Sequence, residues 1–158
     1  MAWDRVINIK SAQEIKLMRE AGRINAEALA AARAAIHPGA TTADVNAAAE
    51  EVMKKYDVIS PFKNYPGAYP YPASTCVSVN EELVHGIPGK RKLKEGDIVT
   101  VDCGVIYEGF VGDAAFTAPV GEISEQAHKL LEVTEGALMA GIEQMRAGNH
   151  VGDVSAAI

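Results

Sequence analysis

The sequence has only two cysteines among its 158 residues, and it has no hydrophobic run of membrane-spanning length. Cys76 and Cys103 are too few to build a disulfide scaffold, and they are typical of a reducing compartment. Residues 1–5 lack the apolar core of a signal peptide. We therefore expect a cytoplasmic protein that makes no membrane contact.

The sequence also lacks an excess of positive charge. The formal net charge is −6 and the pI is about 5.2, whereas nucleic-acid-binding surfaces are generally basic. Basic residues cluster only at positions 90–92, where a solvated loop is the ordinary interpretation. We expect no direct nucleic-acid binding. Internal repeats and low-complexity tracts are not evident either.

Length and composition are those of one soluble globular domain, with 48% hydrophobic and 23% charged residues. Helix-capping signals and apolar spacing predict helices at 11–36, 41–56 and 124–146. A mainly antiparallel sheet is expected from about residue 75 to residue 117, covered by these helices, which makes the fold class α+β. The proline-rich segment 60–72 is expected to be either a surface loop or the wall of a pocket.

Within the sheet, residues 98–117 read as a β-hairpin in which each strand contains one aspartate. If the turn lies at residues 107–108, Asp102 stands directly opposite Asp113. If it lies at the next pair of residues, Asp113 stands opposite Gly104, one diagonal step from Asp102. The two Cβ atoms would be ~5 Å apart in the first register and ~7–8 Å apart in the second, on one face in both. Only a loop of odd length would separate the acids.

Two carboxylates this close repel each other and raise one pKa unless a cation lies between them. Divalent metal ions held by the carboxylates would relieve the repulsion. The alternative is that one or both acids are solvated on an open sheet face. The flanking residues favour a buried sheet, in which an unpaired carboxylate is costly, and so they favour metal binding. These flanking residues are Ile98, Val99, Val101, Val105 and Ile106.

Three ordered motifs resemble those of the type I methionine aminopeptidases: SVNEELVHGIP at 78–88, GDIVTVD at 96–102 and GFVGD at 109–113. Segments 15–23 and 37–42 are similar to the family's first helix and the turn after it. The resemblance covers essentially the whole chain. It implies half of a pita-bread fold, in which two α/β halves related by pseudo-two-fold symmetry enclose a two-metal site.

The resemblance also implies a function, which is removal of the initiator methionine from nascent polypeptides, with the ribosome as a further expected partner. Asp102 and Asp113 would ligate two divalent ions of Co, Mn, Fe or Zn. His85 would be catalytic and bind substrate, contacting the scissile amide or stabilising the transition state. Tyr71 and Cys76 would line the pocket for the methionine side chain, and aromatic and sulfur groups suit a thioether.

The sequence departs from the family pattern in two ways. Tyr69 falls where many members have a histidine. The whole second half of the fold is missing, and with it the family's other ligands, one histidine and two glutamates. We therefore expect residues 1–158 to form a single domain truncated after Ile158. Its metal occupancy should be weak or absent, and its activity alone should be low.

Two alternatives follow from the same residues. One is a related pita-bread peptidase with another specificity, such as a proline peptidase. The other is a non-catalytic half-fold that associates with itself or with a complementary C-terminal half, since large apolar faces rarely stay exposed. A substrate panel would test the first alternative and the assembled mass would test the second.

Overall fold

A computed structural model of the chain describes residues 8–158. Residues 1–5, on which the expectation about a signal peptide rests, lie outside the described residues. The described part forms four helices and three strands. The helices are α1 (Ala12–Ala34), α2 (Thr42–Lys55), α3 (Glu125–Glu143) and α4 (Val151–Ala157). The strands are β1 (Thr75–Val79), β2 (Ile98–Tyr107) and β3 (Phe110–Pro119), paired antiparallel in the order β1-β2-β3. The predicted α+β class is confirmed.

The first two helices begin where their capping signals predict. The Ser11 hydroxyl accepts a hydrogen bond from the Glu14 N–H, and the Glu14 carboxylate accepts one from the Ser11 N–H. Thr41 and Asp44 form the same reciprocal pair at the start of α2. These bonds satisfy backbone N–H groups that a helix start leaves without partners. Local sequence therefore sets both helix starts.

The two faces of the sheet have different surroundings. Alternate residues of β2, namely Val99, Val101, Cys103 and Val105, are fully buried in one core with α1 and α2. The residues between them, including Asp102 and Gly104, point to the opposite face because side chains alternate along a strand. The covering helices thus lie on one side of the sheet, and the acid-bearing face lies on the other.

The prediction that the third long helix also covers the sheet is wrong. Gly141 is the only buried residue of α3, and it faces Val154 and Ile158 of α4. The buried core contains no residue of α3 or α4. An amphipathic pattern predicts that one side of a helix is apolar, but it does not specify what packs against that side.

None of the helices within residues 8–158 combines the length and the apolar character needed to cross a membrane.

α1 packs very closely against β3 at Gly112. A Cβ atom at this position would lie 2.5 Å from the carbonyl oxygen of Ala21 and 2.7 Å from the nitrogen of Gly22. Both neighbours are backbone atoms of a helix, so neither can move aside independently. Only glycine therefore fits at position 112, where α1 packs against β3.

We predict that Gly112→Ala destabilises the fold by about 1–3 kcal/mol, because α1 must shift away from the sheet to admit the methyl group. The free energy of unfolding in urea measures this effect. Gly136→Ala is the matched control, because a Cβ atom at Gly136 in α3 would meet nothing within 4 Å. Removing a glycine from a helix interior should instead stabilise by roughly 0.5–1 kcal/mol. Equal effects of the two substitutions would contradict the proposed contact.

Candidate metal centre

The register of the β2–β3 hairpin places the two aspartates on one face. Gly104 pairs with Asp113, and Asp102 pairs with Ala115. The two turn residues, Glu108 and Gly109, have φ angles of 48° and 80°, as a two-residue hairpin turn that follows the strand twist requires. This is the second of the two registers that the sequence allows. The carboxylates are therefore diagonal neighbours.

The two carboxylates have no ion-pair partner in the part of the chain that the structure describes. Neither Asp102 nor Asp113 forms an ion pair with any Lys, Arg or His among residues 8–158. The pKa of Asp102 is raised, first by partial burial and then by the charge of Asp113, while His85 acts in the opposite direction. The site thus concentrates negative charge where a divalent ion would lower its energy.

Cys76 lies beside the aspartates. It pairs with Asp102 across β1 and β2, so the two side chains share a face, and it is only 6% exposed. Burial is the main cause that raises the pKa of both Cys76 and the neighbouring Tyr71. A thiol with a raised pKa stays protonated at neutral pH and is a poor nucleophile. This favours the pocket-lining role expected of Cys76.

His85 follows β1 in a tightly held loop. Its backbone has φ = 58°, which is uncommon for a residue other than glycine. The N–H of Gly86 donates to the hydroxyl of Ser78 at 3.1 Å, and the carbonyl of Gly86 accepts from the Tyr71 hydroxyl at 3.0 Å. The exposed His85 ring lies near enough to Asp102 to affect its pKa. All five predicted site residues therefore lie in one region.

The structure adds residues that the motifs do not indicate. A Cβ atom at Gly104 would lie 2.8 Å from Pro61 and 3.2 Å from Phe62, so this part of the proline-rich segment covers the sheet beside Asp113. In the same segment Tyr69 is 89% exposed. The segment thus borders the site near both ends, at residues 61–62 and at Tyr71, and is exposed at Tyr69. The sequence signal for this contact is Gly104 itself, because a glycine inside a strand often marks a place where another part of the chain approaches the strand closely.

The donor set fits part of a metal centre. Carboxylate oxygens are suitable ligands for Mn, Fe, Co or Zn in mixed sites. Yet no group of three or more His, Cys, Asp and Glu side chains among residues 8–158 is arranged to hold a metal ion. Two aspartates provide at most four oxygen atoms, so a complete centre would need ligands from outside the described residues.

Comparison with known proteins identifies the family. Residues 16–158 match metallopeptidase family M24. This chain belongs to that family. Methionine aminopeptidase from Clostridium acetobutylicum is 49% identical over 154 residues, which are 97% of this chain and 60% of the relative. The chain thus spans about three fifths of the length of such relatives.

Solved structures confirm the fold. The crystal structure of methionine aminopeptidase from Thermotoga maritima superposes with a TM-score of 0.90 at 47% identity, over 96% of this chain and 60% of that protein. Prolidase from Pyrococcus horikoshii gives a TM-score of 0.80 at 24% identity, over 94% of this chain and 41% of that protein. The second similarity shows the shared fold alone. The predicted half of a pita-bread fold is confirmed.

We predict that Asp102→Asn raises the melting temperature of the metal-free chain at neutral pH. The folded-state pKa of Asp102 is raised, so the fold favours the protonated acid and loses stability as pH rises through that pKa. Solvent screens this partly exposed group, so the gain should be no more than about 1 kcal/mol.

Melting curves in the presence of a chelator, recorded from neutral pH down to about pH 3, test this. The difference between the two proteins should vanish below the ordinary aspartate pKa of about 3.9, where both forms are uncharged. A lower melting temperature for the variant at neutral pH would show that the carboxylate stabilises the fold.

We also predict that Tyr71→Phe loosens the loop that holds His85. The Tyr71 hydroxyl lies 3.1 Å from the carbonyl oxygen of Thr75 and 3.0 Å from that of Gly86. Its loss should cost about 0.5–1.5 kcal/mol in the free energy of unfolding. Amide hydrogen exchange at residues 85–87 should become faster.

Tyr69→Phe is the control, because Tyr69 is 89% exposed. It should change stability by less than about 0.5 kcal/mol and leave exchange in the loop unaltered. If both variants exchange alike, the Tyr71 hydroxyl does not hold the loop.

Proposed function

We propose that this chain supplies two carboxylate ligands, Asp102 and Asp113, to the two-metal centre of a methionine aminopeptidase. The observation that carries the proposal is the pair of aspartates on one sheet face, neither of which forms an ion pair within residues 8–158. The match to metallopeptidase family M24 and the 49% identity to a methionine aminopeptidase support the proposal. The substrate would be the N-terminal methionine of a nascent polypeptide, processed in the cytoplasm and close to the ribosome.

Each site residue would have a distinct role. Asp102 and Asp113 would hold the ions, which when bound acidify a water molecule and polarise the scissile carbonyl. Cys76 and Tyr71 lie beside Asp102 and offer the sulfur and aromatic surface that a thioether side chain prefers. His85, exposed next to the acids and fixed through Gly86, is placed to contact the scissile amide or to stabilise the transition state.

The proline-peptidase alternative has less support. The methionine aminopeptidase structure from Thermotoga maritima is 47% identical, whereas the prolidase structure is 24% identical and shows fold alone. The expectation of low activity for the 158 residues alone also stays part of the proposal. Its reason is chemical, since two aspartates leave most of a two-ion coordination sphere to water.

Metal binding gives the direct test. Titration of the purified chain with Mn²⁺ should show weak binding that Asp113→Asn removes. Asp57→Asn is the control, because Asp57 lies outside the β2–β3 hairpin and asparagine tolerates its positive φ of 51°. We expect Asp57→Asn to bind Mn²⁺ as the unmodified chain does. Equal binding by all three proteins would refute the assignment of Asp113.

Catalysis is tested by joining residues 1–158 to the part of the Clostridium acetobutylicum relative beyond the matched region. The fusion should release methionine from a Met-Ala-Ser peptide, and Asp102→Asn should lower kcat/KM at least ~100-fold. A fusion that retains full activity with Asp102→Asn would refute the proposed ligand. Preference for an Xaa-Pro peptide would favour the proline-peptidase alternative.

A further inference from the structure

One side chain of α2, that of Asn46, contacts the start of β1. Its amide oxygen accepts hydrogen bonds from the Ser74 N–H at 3.2 Å, from the Thr75 N–H at 3.1 Å and from the Thr75 hydroxyl at 3.0 Å. An amide oxygen has two lone pairs, so three donors use its whole capacity to accept hydrogen bonds. A single atom of α2 therefore fixes the backbone of residues 74–75.

The donors that Asn46 satisfies are buried. Ser74 is 4% exposed and Thr75 is 0% exposed. The Thr75 N–H points away from β2, as does that of Val77, which donates to the Gly86 carbonyl instead. Without Asn46 the Thr75 N–H would lie buried without an acceptor, which is costly. Order at the start of β1 therefore depends on this side chain.

Thr75 also contacts the candidate site. Its carbonyl oxygen lies 3.1 Å from the Tyr71 hydroxyl, which is also 3.0 Å from the carbonyl oxygen of Gly86. Cys76 follows Thr75 directly in the chain, and His85 precedes Gly86. A continuous set of hydrogen bonds thus runs from α2, through Thr75 and Tyr71, to the loop of His85.

We propose that Asn46 is a positioning residue of this site. It holds Thr75, and through Thr75 it fixes the wall formed by Tyr71 and Cys76 and the loop that contains His85. The inference rests on the proposed function, in which this wall receives the methionine side chain. α2 packs on the side of the sheet away from the acid-bearing face, so Asn46 would act through Thr75 and not on the substrate itself.

An amide suits position 46 better than a carboxylate does, because Glu50 lies beside it. Burial raises the pKa of Glu50, but hydrogen bonds from three neighbouring side chains outweigh this effect, and the pKa is lowered. These side chains are Ser74, Lys63 and Asn46. Asn46 thus presents its oxygen to β1 and its NH₂ group to Glu50, whereas an aspartate would place a second carboxylate beside the first.

The test measures how firmly the wall is held in the 158-residue chain treated with a chelator. Cys76 is only 6% exposed, so iodoacetamide reaches it when the wall moves, and peptide mass spectrometry gives the alkylation rate. Asn46→Ala should raise this rate about tenfold through local opening. Amide hydrogen exchange at residues 85–87 should also become faster. Cys103 is fully buried on the other face of the sheet, so its alkylation in the same sample reports opening of the core and should rise far less.

Two further variants separate positioning from stability. Gly112→Ala is expected to destabilise the fold at the contact between α1 and β3, so the alkylation rates of Cys76 and Cys103 should rise by the same factor. Asn46→Asp keeps an oxygen acceptor at position 46. It should leave Cys76 protected, although repulsion between its carboxylate and that of Glu50 should lower the melting temperature.

A selective rise at Cys76 in Asn46→Ala alone supports the proposal. A parallel rise at Cys76 and Cys103 in Asn46→Ala, or equal alkylation of Cys76 in Asn46→Ala and Asn46→Asp, would overturn it.

The fusion with the Clostridium acetobutylicum segment adds a kinetic measurement. A loosened wall should weaken binding of the methionine side chain, so Asn46→Ala should raise KM more than it lowers kcat. An unchanged KM would also overturn the positioning role. Inactivity of the unmodified fusion would refute the proposed function alone, because the alkylation measurement needs neither metal nor turnover.

Discussion

The pairing of Gly104 with Asp113 is the constraint on which the site depends. Side chains alternate between faces along a strand, so a slip of one residue would turn Asp113 toward α1. At that side of β3 the backbone of Ala21 leaves no room even for a methyl group at position 112. A carboxylate in that buried position would lie against the carbonyl oxygen of Ala21, and the two oxygens would repel each other. Helix packing and the placement of the acid therefore enforce the same register.

This register brings together two charges that the fold itself does not neutralise. Asp102 is partly buried, its pKa is raised, and Asp113 contributes to that rise. The helix-facing side of the same strands has no such conflict, because it is filled by Val99, Val101 and Val105. The helix-facing side of the sheet thus stabilises the fold, whereas the two aspartates on the other face lower its stability. Such a division is expected where a site needs charges in a fixed arrangement.

The sequence predicts the position of the two aspartates because the signals for a hairpin are local. With a two-residue turn the sequence allows two registers, and both put the acids on one face, whereas a loop of odd length would separate them. Glu108 is a turn residue in both registers, so the choice depends on whether Tyr107 or Gly109 is the other one. The structure pairs Tyr107 with Phe110 and leaves Gly109 in the turn, with φ = 80°. The position of α3 was predicted wrongly, because its periodicity showed an apolar side and not its partner.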